Sequence, residues 1–380
     1  MAISGYSIFK LGSSNFSKQD PLTGQYDKYE VGLYDITNLA NKNDLNRLEE
    51  LYLKFNFKNS FIRLGRQFIN TPFINLQDGR MNVTAAESIY TEINEIGKLK
   101  LQLGWLWGIS PRSTTRWYRI GESIGVYPCG INPDGTKSQY YNNIKSKGIA
   151  MLGITKTINK NIKLQGWNMF TENVFNTAMI QTNISIPVKK ISSILAAAQI
   201  IKQDALNNGG NKDQAKTFFS KASHSLSFGA SIGLKNKLWA IFLNYNRITN
   251  NGRFLMPREW GREPFFTFLP RERNEGLGDV YAFMIKINYN IFKEKLLTSL
   301  AAGYYKLPDV MTHALNKYSL PSYTQVNADL KYNFTKSLNG LDAEILIVNK
   351  INCGETHNNK KFIFNKVNMQ QYNLILNYHF

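Results

Sequence analysis

Two short stretches concentrate the side chains of this chain best suited to chemistry. The run PRSTTRWYR holds Arg112, Arg116 and Arg119, and PREWGREPFFTFLPRER sets Arg258, Arg262, Arg271 and Arg273 among aromatic residues. A guanidinium offers a planar fork of donors that grips a carboxylate in a bidentate way, and it stays charged at any ordinary pH. A row of such forks in a narrow aqueous passage would draw in small anions and repel cations. The whole chain leans the same way: 46 Lys and Arg against 27 Asp and Glu give a formal net charge of +19. An excess of that size suits nucleic acid, an anionic surface or anionic solutes. No helix-turn-helix or zinc-finger spacing accompanies it, so nucleic acid is not an expected partner.

Catalytic patterns are weak. His224, His313, His357 and His379 are scattered, without the i, i+4 spacing of a metal-binding pair. His224-Ser225 lacks a nucleophile elbow, and no glycine-rich loop could cradle a phosphate. The expectation is a protein that is not an enzyme and carries no cofactor or metal. Cys129 and Cys353 are the two cysteines, and their distant spacing leaves pairing open.

The elements that would position the arginines read as strands. No apolar run reaches the roughly 18–20 residues of a membrane-crossing helix. The last stretch, QQYNLILNYHF, instead alternates: Tyr372, Leu374, Leu376, Tyr378 and Phe380 share one face, Gln371, Asn373, Ile375, Asn377 and His379 the other. Aromatic rings at both ends of an aliphatic middle suit a strand facing lipid, and a terminal Phe380 suits recognition by a barrel-assembly machinery. The same alternation sets Leu51, Leu53, Phe55 and Phe57 against Tyr52 and Lys54, with a tight turn at Asn59-Ser60 before Arg63. It places Leu99 to Trp107 against Lys98, Lys100 and Gln102, and Tyr281 to Tyr289 against Met284, Lys286 and Asn288. Tyr323 to Phe334 repeats it, with Asp329 and Lys331 on the polar face. Weaker strands are expected at 4–10 and 28–34, and clearer ones at 148–157, 161–170, 174–186, 191–201, 225–234, 237–246, 295–306 and 341–349.

This pattern predicts an all-β protein: one antiparallel transmembrane barrel over 1–380, of about 16–18 strands, tight turns at one end and long loops at the other. A long connection is expected at 67–97, with 108–147 and 247–278 as long extracellular loops. The inward charged residues lean basic, so Lys54, Arg63, Lys100 and Lys286 join the arginine clusters as candidates for the solute path. No charged, apolar-cored leader opens the chain at Met1, and a mature or trimmed form is expected. Two other roles fit the pattern: a channel for neutral or oligomeric solutes, in which the EWGREPFFTF aromatics stack on sugars, and a structural or adhesive barrel with a blocked lumen.

The stretch LGRQFINTPFINLQDGRMNVTAAESIYTEINEIGKLKLQLG resembles OprD-like outer-membrane porins, in which a strand ending in Gly-x-Gln leads through an Asp…Arg pair to the next strand. The segment FLPRERNEGLGDVYAFMIKINYN is similar to their arginine- and glutamate-bearing loop before a late strand. The resemblance implies a bacterial outer-membrane barrel of eighteen strands, monomeric or weakly trimeric, surrounded by lipid and lipopolysaccharide. It favours eighteen strands and implies that 67–97 folds into the lumen as a constriction loop bearing Asp78 and Arg80, with Arg63 on the adjacent wall. Arg271 and Arg273 would belong to a basic ladder guiding small carboxylate-bearing solutes.

Overall fold

Alternating apolar and polar side chains dictate extended backbone, and the computed structural model answers with strands almost throughout. It describes residues 1–76, 82–112, 114–189, 192–291 and 295–379. The strands are β1 (Ala2–Ile8), β2 (Leu45–Phe57), β3 (Ser60–Gln67), β4 (Ala85–Ile93), β5 (Leu99–Ser110) and the two-residue β6 (Tyr118–Arg119). Then come β7 (Ile149–Asn159), β8 (Ile162–Thr171), β9 (Phe175–Lys189), β10 (Ser192–Ala205), β11 (His224–Lys235) and β12 (Trp239–Ile248). The chain ends with β13 (Val280–Ile291), β14 (Leu296–Lys306), β15 (Tyr323–Asn333), β16 (Leu341–Asn352) and β17 (Met369–Tyr378). Two helical turns, α1 (Lys28–Val31) and α2 (Ile120–Ser123), are the α-helical elements among the described residues. No described helix is long and apolar enough to cross a membrane.

All 17 strands form one antiparallel sheet. Each long strand pairs with the next in sequence, and β5 pairs directly with β7 while β6 adds a short rung beside it. Several features close this meander on itself. Asn365 Nδ2, between β16 and β17, donates to the Tyr26 carbonyl between β1 and β2 at 2.7 Å, so the first and last hairpins meet. One loop, 249–279, is also hydrogen-bonded to side chains of β10, β14, β15, β16 and β17 and to the β3–β4 connection. A flat sheet could not bring those strands to one loop.

The two faces of the sheet differ sharply. Cross-strand pairs such as Ile241 with Ile287 and Leu243 with Ile285 lie on the outer face. There Leu243 is 55% exposed, Phe283 52% and Leu374 71%. Exposed rings bracket this aliphatic zone: Phe57, Tyr289, Tyr332 and Tyr378 at the turn end, Trp107, Phe170, Tyr281 and Tyr304 at the loop end. An apolar band of that extent would make a water-exposed protein aggregate, whereas with aromatic borders it matches the hydrocarbon layer of a membrane. The inner face carries buried polar residues, among them Gln102, Gln199, Asn246, Gln325 and Lys350.

Three expectations need correction. Residues 28–34 do not form a strand: the Asp27 carboxylate accepts the Tyr29 amide at 2.9 Å and its carbonyl the Val31 amide, which winds α1. The 67–97 segment is not all loop, because Ala85–Ile93 is β4 and pairs with both β3 and β5. The 247–278 segment does not stand clear of the sheet but folds inside it. Phe380 lies outside the described residues, and Cys129 and Cys353 are free thiols.

The outer face yields a direct test. Replacing Ile285, mid-belt on β13, with Arg is expected to cost about 2–4 kcal/mol, while Lys286→Gln on the inner face should stay within about 0.5 kcal/mol. Reversible urea unfolding in lipid vesicles measures both.

Candidate functional site

A loop without regular structure presents backbone carbonyls and amides that must find partners wherever water is excluded. The loop 249–279 finds them on the inner wall, in side-chain amides. Gln203 Nε2 donates to the Leu255 carbonyl at 2.8 Å and its Oε1 accepts the Leu255 amide at 2.9 Å. Gln199 donates to the Pro264 carbonyl, and Gln325 and Asn327 both donate to that of Pro270, at 2.7 and 3.0 Å. The Tyr305 hydroxyl donates to the Thr267 carbonyl at 2.8 Å.

Between these anchors the loop crosses to the far wall and back. Asn75, in the β3–β4 connection, donates to the Arg262 carbonyl at 2.9 Å and accepts its amide at 3.1 Å. The Asn75 amide reaches the Trp260 carbonyl, and Thr84 donates to that of Glu259 at 2.8 Å. Two connections thus meet inside the barrel and form a bar. Gly261 is required there: its φ is +149°, and a Cβ would sit 2.6 Å from Asn75 Oδ1. The segment 67–97 thus meets 249–279 inside the barrel through Asn75 and Thr84. Asp78 and Arg80 lie outside the described residues.

One side of the bar is packed with apolar residues. Trp260 stacks on Phe175, which stacks on Phe219, and Ile69, Phe73, Ile120 and Tyr140 join the same buried cluster. Its polar partners are tied in: the Trp260 indole donates to Ser123 Oγ at 2.9 Å, and the Glu259 carboxylate accepts the Gly125 and Tyr127 amides. Above it, Glu275 gathers cations, with Lys317 Nζ at 3.6 Å, Arg258 Nε at 3.9 Å and Arg273 Nη1 at 4.0 Å. Burial pulls the Lys317 ammonium below the usual lysine range, and the Glu275 charge works against that.

The arginine clusters consequently divide. Arg112 and Arg258 are buried: Arg112 donates to the Arg258 carbonyl, and Arg258 donates to the Pro128 carbonyl and lies over the Tyr318 ring at 4.7 Å. Both fasten loops together. Arg116 and Arg119 are exposed, Arg119 beginning the α2 turn at the loop end. Arg262 is exposed on the inner side of the bar, over the Phe268 ring at 5.3 Å. Arg271 is half-buried, with φ +71°, and donates to Gln371 at 2.8 Å and Asn373 at 3.1 Å on β17 while its carbonyl accepts Lys350 Nζ at 2.6 Å. A cavity of about 670 Å³ lined by Tyr29, Gln371 and Asn373 opens beside it. Arg273 is half-buried next to the Glu275 cluster.

On the wall, Arg63 sits over the rings of Phe61, Tyr52 and Tyr90 at 4.9–5.8 Å, and Lys54 over Phe61 at 4.9 Å. Lys100 pairs with Glu92 at 2.6 Å, and Lys286 is half-buried on the inner face of β13. Sequence reasoning missed the wall amides and the acidic residues of the bar, Glu259, Glu263, Glu272 and Glu275, all buried. Asn and Gln on the polar face of alternating strands were the available signal for the first. Among the described residues no group of three His, Cys, Asp or Glu could hold a metal.

Two outcomes follow from this bar. Gly261→Val should drive the 71–75 and 259–262 segments apart and raise single-channel conductance in planar bilayers; an unchanged conductance would mean that the bar does not limit flow. Glu272 is 2% exposed with both carboxylate oxygens unpartnered, and burial followed by the nearby Glu263 charge lifts its carboxyl well above the ordinary range. A raised carboxyl contributes stability fully below the unfolded value of about 4.3 and loses it as pH rises toward the folded one. Glu272→Gln should therefore raise the urea midpoint at pH 8 and leave it nearly unchanged at pH 4.

Comparison with known proteins fits this geometry. The sequence model described as outer membrane porin, OprD family, matches residues 22–269, which include the first of the two resembling stretches. Among curated proteins no relative matches. The crystal structure of Pseudomonas aeruginosa OpdK with vanillate is similar at a TM-score of 0.73 and 13% identity, covering 98% of this chain and 85% of that one. OccK9 (OpdG) from the same organism gives 0.72 and 13%, covering 98% and 84%. OccK2 (OpdF) in complex with glucuronate, also from P. aeruginosa, gives 0.66 and 13%, covering 88% and 82%. The barrel, its lumenal loop and the family match agree: the chain belongs to the OprD family of porins, integral to the outer membrane.

Proposed function

We propose that the protein is a passive porin for small carboxylate-bearing solutes, without catalytic role or cofactor. The observation that carries this reading is Arg271, half-buried on the inner wall and held there by Gln371 and Asn373. The left-handed backbone and the two amide acceptors pin the guanidinium, so a solute carboxylate meets it with little further ordering. Arg262 on the bar and Arg273 behind it extend a basic track, with Lys54, Lys100 and Lys286 as wall charges that steer rather than grip. Two of the similar structures were solved with vanillate and with glucuronate, both carboxylates, which supports the solute class. The long loops would face the exterior and the tight turns the periplasm, as in bacterial barrels generally.

One observation favours neutral solutes instead. Phe266 and Phe268 are half-exposed on the loop beside Arg262, a surface on which sugar rings could stack.

The reversal potential of the purified protein in a planar bilayer under a salt gradient decides between them. The expected result is anion preference, reduced several-fold in permeability ratio by Arg262→Ala with Arg271→Ala. Equal cation and anion permeability in the wild type would favour neutral solutes. Silence over many insertions would favour a blocked barrel.

A further inference from the structure

The tight turns carry a pattern that the lumen does not use. Lys58, Lys98, Lys160, Lys237, Lys295 and Lys336 stand in six different hairpin connections at the same end of the barrel. Together they form a ring around its rim. Five are exposed and Lys295 is half-exposed, and none has a carboxylate within ion-pair distance among the described residues. The acids at this end are already engaged. Glu95 accepts from the Asn59 amide and the Ser60 hydroxyl, and Asp342 is held by Lys331, Asn377 and His379. No arginine stands in these turns; the arginines occupy β2, β3, β6, β12 and the connections at the other end.

Position makes the ring informative. Most of these lysines lie within two residues of an exposed apolar side chain of the outer band: Phe57 before Lys58, Ile96 before Lys98, Ile158 before Lys160, Leu238 after Lys237 and Leu338 after Lys336. These lysines therefore stand at the level where hydrocarbon gives way to water. A flexible stem with a compact charge can rest its methylenes on lipid and lift its head to a phosphate.

We propose that this ring binds the phosphate groups of anionic glycerophospholipids in the inner leaflet and gathers them around the barrel. Lysines near an anionic surface attract its lipids, and six such sites together would enrich the lipid shell severalfold. The charge of the turn end is then matched by lipid, while the solute-binding arginines are kept to the lumen.

The full chain reconstituted in mixed phosphatidylcholine and phosphatidylglycerol vesicles provides the test. After polymer extraction of the protein with its lipid shell, the expected phosphatidylglycerol content is about threefold above bulk. Replacing the six lysines with Gln should return it to the bulk ratio, and replacing them with Arg should preserve the enrichment. Gln at the exposed loop-end residues Lys18, Lys212 and Lys221 should also leave it intact. Heat-modifiable migration on gels confirms that each variant is folded. A wild-type shell at the bulk ratio would overturn the proposal, as would enrichment that survives the six-Gln change. A six-Gln variant that loses anion preference while keeping its lipid shell would place the ring in the permeation path and overturn it as well.

Discussion

The structure depends on one constraint: inside a barrel, backbone groups that no strand satisfies must be satisfied by side chains. The strands meet the constraint among themselves, each using its neighbours. The loop 249–279 cannot, because it has no ladder of its own. It is held by Gln199, Gln203, Gln325, Asn327 and Asn75, whose amides meet its carbonyls. From that fastening follow the bar across the lumen, the apolar packing around Trp260 and the placement of Arg271 and Arg262.

The charged residues divide along the same logic. Where water is excluded, as around Glu275, the buried cations Arg258 and Lys317 are drawn into a network and act as structural ties. Arg262, by contrast, is exposed on the loop, and Arg271 is half-buried and held by the side chains of Gln371 and Asn373. Sequence proximity does not separate these roles. Arg258 and Arg262 lie one turn of chain apart, yet the first is buried over Tyr318 and the second is exposed over Phe268.

Much of the barrel was legible in the sequence, because a lipid-facing strand must alternate. The faces read for 281–289 and 372–378 are those the structure exposes. Failures came where alternation is absent or imitated. TAAES opens β4 with small residues on both faces, so the strand was absorbed into a loop. The 28–34 segment alternates, but Asp27 captures the amide of Tyr29 and bends the chain into a helical turn. The path of 249–279 was not legible, since no local periodicity says that a loop turns inward. Its partners sit up to 187 positions away. The site was legible as a class of side chain rather than as a geometry: arginine among aromatics was visible, but which arginines are open and which are tied was not.

The clasp of side-chain amides has a consequence for how such a pore behaves. Amides carry no net charge and do not titrate, so their share of the hold on the constricting loop is indifferent to ionic strength and pH. The guanidinium track proposed for the solute would attract by charge and be screened as salt rises. Changing surroundings would then retune which ions linger in the lumen while the amide anchors of the loop stay in place.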